Sequence, residues 1–357
     1  MATSDVPSQM RQDPGAAGRG LPPAATLHAL LNGFVVGRAL HVAAQLGVAD
    51  LLQDGPRSAP EIAAAVGAHP DTLSRLLRAL ASVGVFTEAE PGVFALTPLG
   101  DCLRSDTPSS LRAFACLFGS EEYLRAFDHL LETVQTGHAG FELAFGTPIY
   151  PYLAQHADFS ATFDAAMTNL SGMVTPAILA AYDFSDIHTL VDIGGGQGAL
   201  LIALLRANPA MRGILFDLPH VVEGARARMT AAGLAERCAV VNGTMLAGVP
   251  AGADAYLIKN VLMDRDDGAA IVVLRHCLQA MGPAGRLLVI DPVILPGAGP
   301  SPAKFTDLVM LILTESGRCR TPAEFQALFE AAGLALTRVI PTPSPAVSIV
   351  EGRPRRG

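Results

Sequence analysis

Leu190-Val191-Asp192-Ile193-Gly194-Gly195-Gly196-Gln197-Gly198, running into the apolar Ala199-Leu200-Leu201-Ile202-Ala203-Leu204-Leu205, decides how the chain is read. It predicts a buried strand, a glycine turn and the first turns of a helix, where missing side chains let a ligand approach backbone N–H groups. About twenty residues further on, Gly213-Ile214-Leu215-Phe216-Asp217 predicts a second short strand that ends in a carboxylate placed for a ribose diol. The glycines do not keep the G-x-G-x-x-G spacing and no Walker lysine follows, so alone they specify no particular nucleotide.

The continuation Phe216-Asp217-Leu218-Pro219-His220-Val221-Val222 sharpens the reading. Together with Val191-Asp192-Ile193-Gly194-Gly195-Gly196-Gln197-Gly198 it resembles the first two cofactor motifs of the S-adenosylmethionine-dependent small-molecule O-methyltransferases. That family contains caffeate, hydroxyindole and many bacterial polyketide methyltransferases, and the resemblance covers nearly the whole chain after a short tail. It implies an α/β, doubly wound, Rossmann-like class I methyltransferase domain preceded by a mostly helical winged-helix dimerisation domain. The implied cofactor is S-adenosylmethionine or S-adenosylhomocysteine, held by Asp192, Gly194, Gly196, Gly198, Asp217, Leu218, Thr244, Met245 and Lys259.

Length and composition agree with a two-part enzyme. The chain has 357 residues and 50% hydrophobic content, enough for two cores. A net charge of −8 argues against nucleic acid or an anionic membrane, because phosphate binding needs clustered Lys and Arg. There is no uninterrupted apolar run of about eighteen residues, and Met1-Ala2-Thr3-Ser4-Asp5 lacks the basic start of a signal peptide. A cytoplasmic enzyme with a small-molecule substrate is expected, with neither nucleic acid nor membrane as partner. Cys102, Cys116, Cys238, Cys277 and Cys319 are scattered without a C-x-x-C pair, which predicts reduced thiols and no metal site.

Four segments follow along the chain. Residues 1–23 are rich in Gly, Pro, Gln and Arg without periodicity and read as a disordered tail. Residues 24–105 read as a winged helix-turn-helix unit. Apolar residues from Leu27 to Leu46 imply two amphipathic helices. Ser58, Pro60 and Glu61 start a helix that Gly67 closes, Asp71 is placed to cap the next, and Val85-Phe86-Thr87 with Val93-Phe94-Ala95-Leu96 forms a wing. DNA binding is the rival for such a unit, but its second helix offers only Arg75 and Arg78, and Glu88 and Glu90 occupy the wing tip. Dimerisation, which the resemblance implies, suits the acidic wing better, giving a homodimer or a heterodimer with a homologue.

Residues 106–186 read as helical, interrupted by Phe145-Gly146-Thr147-Pro148-Ile149-Tyr150-Pro151-Tyr152-Leu153. By resemblance Tyr150, Phe163, Met167 and Met173 wall the acceptor. Residues 187–357 alternate strands with helices, with Ala255-Tyr256-Leu257-Ile258, Arg286-Leu287-Leu288-Val289-Ile290 and Val347-Ser348-Ile349-Val350 as further strands.

The catalytic positions break the family pattern. A phenol of pKa about 10 normally needs a general base, worth roughly 10² to 10⁴ in rate. The family carries it in a lysine-x-x-x-histidine-aspartate-tryptophan string, which here reads Lys259-Asn260-Val261-Leu262-Met263-Asp264-Arg265. Met263 stands at the position of the base and is not itself one. The glutamate that orients the base is replaced by Cys319, whereas Asp291 keeps the other supporting carboxylate. Thr244 replaces the carboxylate that faces adenine, a weaker acceptor by about 1 kcal/mol. Asp264 follows Met263, and as a base it matches a phenol only if buried. His129, His138 and His156 are the other candidates in the acceptor region.

Three functions fit these residues. One is a methyltransferase whose natural-product acceptor needs no strong base, so that alignment and desolvation suffice. A second is a family member that binds the cofactor but catalyses a hydroxylation, decarboxylation or pericyclic step. A third is a non-catalytic subunit of a heteromeric methyltransferase.

Overall fold

A computed structural model describes residues 22–297 and 299–355. Residues 1–21 of the expected tail lie outside the described residues, and Pro23 already opens a helix. The N-terminal unit contains α1 (Pro23–Leu46), α2 (Val48–Leu51), β1 (Arg57–Ser58), α3 (Ala59–Val66), α4 (Pro70–Ser82), β2 (Phe86–Glu90), β3 (Val93–Leu96) and α5 (Pro98–Asp101). Ser58 and Glu61 form a reciprocal capping box, and Gly67 ends α3 in the left-handed conformation. β2 and β3 pair antiparallel as the wing, with β1 on the other side of β3.

Two expectations fail here. The two helices expected before Leu52 are one helix of 24 residues and a short turn of helix after Gly47. α1 runs unbroken through Gly33 and Gly37, where an added Cβ would meet nothing among the described residues. Asp71 does not cap α4. His69 holds the cap position, and Asp71 lies inside the first turn, where its charge favours the helix dipole.

The second half of α1 docks on α6 (Arg112–Phe118). His41 Nδ1 lies 3.1 Å from the Cys116 carbonyl, and Arg112 donates to the Ala44 carbonyl at 2.8 Å and to Asp50 at 2.7 Å. Then follow α7 (Glu121–Asp128), α8 (Leu130–Thr136), α9 (Gly140–Phe145), α10 (Ile149–Leu153) and α11 (Ala157–Ala181). The interruption expected at 145–153 therefore holds a short helix of its own, α10.

The C-terminal unit runs β4 (Thr189–Ile193), α12 (Ala199–Ala207), β5 (Arg212–Asp217), α13 (Pro219–Ala231), β6 (Cys238–Asn242), β7 (Ala255–Lys259), α14 (Asp267–Ala280), β8 (Arg286–Asp291), α15 (Pro302–Leu313), α16 (Pro322–Ala332), β9 (Leu334–Pro341) and β10 (Ser348–Pro354). Its sheet has the order β6-β5-β4-β7-β8-β10-β9, with β10 antiparallel to both neighbours and the remaining pairs parallel. Alternate residues feed two cores, as the pleat demands. Leu190, Leu215, Leu257 and Leu288 pack on one face, and Val191, Phe216, Tyr256 and Leu287 on the other. The parallel strands thus end at one edge, where β4 gives way to the glycine turn and β5 to Asp217.

Candidate active site

Gly194, Gly196 and Gly198 all take positive φ values, of 67°, 57° and 77°. At Gly198 a Cβ would fall 2.5 Å from Met229 Cε and 2.8 Å from Leu215 Cδ1, so this corner requires glycine on both steric and torsional grounds. Around Gly196 there is open space. Its N–H donates to Asp217 Oδ2 at 2.8 Å, and the Leu218 N–H donates to Asp217 Oδ1 at 2.7 Å. The two amides fix the carboxylate, and each oxygen retains a lone pair for a further donor.

Beneath the turn lies a buried charge cluster. Asp192 is 2% exposed, its Oδ2 has no hydrogen-bond partner among the described residues, and burial pushes its pKa up to about 7 against the pull of Lys259. Lys259 is shifted downward by burial, opposed by Asp192 and Asp291, and it donates to Ser171 Oγ at 2.9 Å. Met245 Cε lies 3.5 Å from where a Gly194 Cβ would stand, so Met245 closes the same loop, while Thr244 is exposed beside it. S-adenosylmethionine fits these groups. Asp217 offers two acceptors to a diol, and the unpartnered Asp192 oxygen suits a cationic ligand held from below the open turn.

The acceptor side is built by a single turn of 3₁₀ helix, Leu262–Asp264, and the loop before α16. Arg320, 1% exposed, holds both together. It donates to the Leu262 carbonyl at 2.8 Å, the Arg265 carbonyl at 2.7 Å and Asp267 Oδ1 at 2.8 Å. Met263 and Cys319 consequently sit in one buried apolar cluster with Ile149, Phe159 and Met310, against which Phe163 and Met167 pack. Burial lifts the Cys319 thiol to about 12, which leaves no thiolate nucleophile.

Asp291, 1% exposed, has no hydrogen-bond partner for either carboxylate oxygen among the described residues. Burial and the neighbouring Asp264 raise it to about 7, against Arg320 and Lys259. Asp264 itself is raised to about 6 by burial and accepts the Tyr150 hydroxyl at 2.6 Å.

Most expected residues converge here, but Met173 does not. It is 37% exposed and outside the cluster. Phe163 and Met167 are four apart and share a helix face, whereas Met173 lies six beyond Met167 and points elsewhere. Of the histidines, His129 is half-buried with its ring 3.0 Å from Glu132, His156 is exposed with its ring 2.8 Å from the Tyr152 carbonyl, and His138 is exposed. Ser171, Tyr123 and Arg320 were not read as site residues. No local signal in the sequence around Arg320 marks it as buried.

A winged-helix unit joined to a class I methyltransferase sheet, with a cofactor cleft at the strand ends, defines the class of protein. Residues 127–335 match the O-methyltransferase domain model, and residues 28–106 match the O-methyltransferase dimerisation domain model. The chain belongs to this O-methyltransferase family. It is 45% identical over 334 residues to a phenazine O-methyltransferase, PhzM, of Lysobacter antibioticus, covering 94% of this chain and 97% of that protein. The solved structure of LaPhzM superimposes with a TM-score of 0.88 at 45% identity, covering 94% of this chain and 100% of that one. CalO1, a methyltransferase in calicheamicin biosynthesis solved with S-adenosylhomocysteine bound, gives a TM-score of 0.84 at 36% identity, covering 93% and 98%.

Replacing Asp217 with Ala removes two charge-assisted acceptors, so S-adenosylhomocysteine affinity should fall by about 1 to 3 kcal/mol. Calorimetry that shows unchanged affinity would take Asp217 out of the cleft. Asp291 yields a second prediction. Its folded pKa lies above the unfolded value, so the folded chain binds the proton more tightly and loses stability as pH rises from about 4 to about 7. Relative to wild type, Asp291→Asn should therefore gain stability across that window, by up to about 4 kcal/mol at its upper end. Parallel denaturation curves for the two proteins across pH 4 to 8 would refute the burial account.

Proposed function

We propose that the chain is an S-adenosylmethionine-dependent methyltransferase that acts, as a homodimer, on a small aromatic natural-product acceptor whose hydroxyl is acidified by its own ring system. The observation that carries this is Asp217, fixed by the Gly196 and Leu218 amides beside the open face of the glycine turn. Such a carboxylate is poised for a ribose, in a chain whose relatives include the phenazine enzyme. The acceptor side supports the choice of an acidic hydroxyl. Met263 and Cys319 replace the histidine and glutamate that the resemblance calls for, leaving sulfur and hydrocarbon where an imidazole would remove a proton. Alignment and desolvation then carry most of the rate.

Neither a non-methylating enzyme nor a silent subunit has a residue here that favours it. The test is incubation with methyl-labelled S-adenosylmethionine and a panel of a hydroxyphenazine, a hydroxynaphthoate, a hydroxyquinone and an unactivated phenol. Mass spectrometry should find methylated product and equimolar S-adenosylhomocysteine with the activated acceptors, at rates well above the simple phenol. Binding of the cofactor with no methylated product from the panel would count against the assignment.

The homodimer rests on α1. Leu27, Leu30, Leu31, Phe34 and Val35 are all more than half exposed, Leu30 at 72% and Phe34 at 68%. Among the described helices α1 is long and apolar enough to cross a membrane by length and composition. Most of it, however, falls in the matched dimerisation domain, and a second copy covers such a face equally well. We place the enzyme in the cytoplasm on this basis and on its five free cysteines. Light scattering should give a dimer for the intact chain and a monomer for Leu30→Glu/Phe34→Glu. A monomeric wild type at micromolar concentration would dismiss the homodimer.

A further inference from the structure

With a methionine at the family's base position, an acceptor hydroxyl still has to lose its proton to something. The structure supplies a candidate through a contact between residues 114 apart in sequence. The Tyr150 hydroxyl, from α10, donates to Asp264 Oδ2 at 2.6 Å. Tyr150 as a whole is 45% exposed, so part of the residue borders open space, while its hydroxyl is buried against Asp264. Asp264 directly follows Met263 in the turn that Arg320 holds through the Leu262 and Arg265 carbonyls. The pair thus borders the apolar cluster that holds Met263, Cys319 and Ile149, the residue before Tyr150.

Resting on the methyltransferase reading, we propose that Tyr150 and Asp264 form the proton-accepting pair for the acceptor hydroxyl. The acceptor O–H bond breaks and its proton passes to the Tyr150 oxygen, while the Tyr150 proton moves to Asp264 Oδ2. The acceptor oxygen forms its bond to the transferred methyl carbon, and the carbon–sulfur bond of the donor breaks with its electron pair left on sulfur. Asp264 then releases the proton to water.

The surroundings set the direction of that transfer. Burial raises Asp264 to about 6, with the Tyr150 hydrogen bond and Arg265 acting against the rise. Tyr150 is pushed well above its ordinary value by burial and by the Asp264 charge, so at rest the proton is on the phenol and the carboxylate is the empty acceptor. The other groups facing Asp264 are Tyr123 from α7, buried and held neutral, the Cys319 thiol from the loop before α16, kept protonated by burial, and Asp291 from β8, whose own pKa rises in response to the Asp264 charge. Arg320 faces Asp291 from the loop before α16. A carboxylate of this strength matches an acidified hydroxyl and is a poor base for a simple phenol.

The experiment uses Asp264→Asn and Tyr150→Phe in the full-length enzyme, with 1-hydroxyphenazine as acceptor. In wild type, kcat/KM should rise with pH through about 6 and level off above it. Asp264→Asn should lose that limb and fall about 10² to 10⁴-fold, and Tyr150→Phe should fall in kcat with little change in KM. Calorimetry with S-adenosylhomocysteine, unchanged in both variants, shows that the fold and the cofactor cleft are intact. An activity-independent readout is infrared titration of the wild-type minus Asp264→Asn difference in the S-adenosylhomocysteine complex, where a protonated carboxyl band should disappear as pH rises through about 6. If Asp264→Asn binds S-adenosylhomocysteine but keeps both the rate and the pH limb, the pair is not the proton acceptor, and the methyltransferase assignment stands. If wild type binds S-adenosylhomocysteine yet methylates no acceptor, that assignment fails and takes the pair with it.

Discussion

Three neighbouring parallel strands carry ionisable side chains of alternating sign at their carboxyl ends, and the working parts of the molecule are arranged around that row. Asp192 is the penultimate residue of β4, Lys259 closes β7 and Asp291 closes β8. The lysine is desolvated between two carboxylates that are desolvated themselves, so each charge is tolerable only because of the next. Parallel pairing is what brings the three chain ends to one edge, and the two hydrophobic faces of the sheet are what exclude water beneath them. Lys259 also reaches Ser171 on α11, which ties the linker helices of the acceptor side to the sheet. Cofactor cleft and acceptor wall thus share one electrostatic foundation, and a change in either carboxylate is felt on both sides.

How much of this could be read from sequence depended on whether the information was local. The glycine turn and Asp217 were legible because their constraints are steric and short-range, and the structure puts positive φ values at the three glycines named. The capping box at Ser58 and Glu61 was legible for the same reason. Strands β6 and β9 escaped notice because they lie at the two edges of the sheet, where one side is solvated and alternation is weak. β9 carries Thr337 and Arg338 in its middle, and Val241 on β6 is exposed. The buried clamp made by Arg320 and the contact from Tyr150 to Asp264 join distant segments, and nothing in the local pattern of either partner announces them. Family resemblance located Met263 and Cys319. Only the fold shows that they share one apolar cluster.

α1 illustrates the opposite failure, in which local signals misled. The spacing of the apolar residues from Leu27 to Leu46 suggests two helices, but one helix runs through Gly33 and Gly37, isolated glycines that cost about 1 kcal/mol each and are tolerated when something else holds the helix. Here the second half of α1 is anchored on α6 by His41 and by Arg112. The first half carries its apolar residues outward from that anchor. A helix that is half anchored and half exposed is built to be finished by another molecule, in line with the match of residues 28–106 to a dimerisation domain.

Under the proposed function, Met263 and Cys319 also set the chemistry that the pocket favours. A histidine held by a glutamate is a base of intermediate strength in a polar niche. Sulfur side chains at the same two positions make the niche apolar, which strengthens every remaining charge interaction and raises the carboxyl groups nearby. A site of this kind stabilises a transition state in which the positive charge of the donor is being neutralised, because no water competes to solvate the separated charges. Its weakness is toward acceptors that start with a tightly held proton. On the function proposed above, sulfur at these two positions leaves only a weak carboxylate base at the wall, so that the ring chemistry of the acceptor weighs heavily in which molecules are methylated.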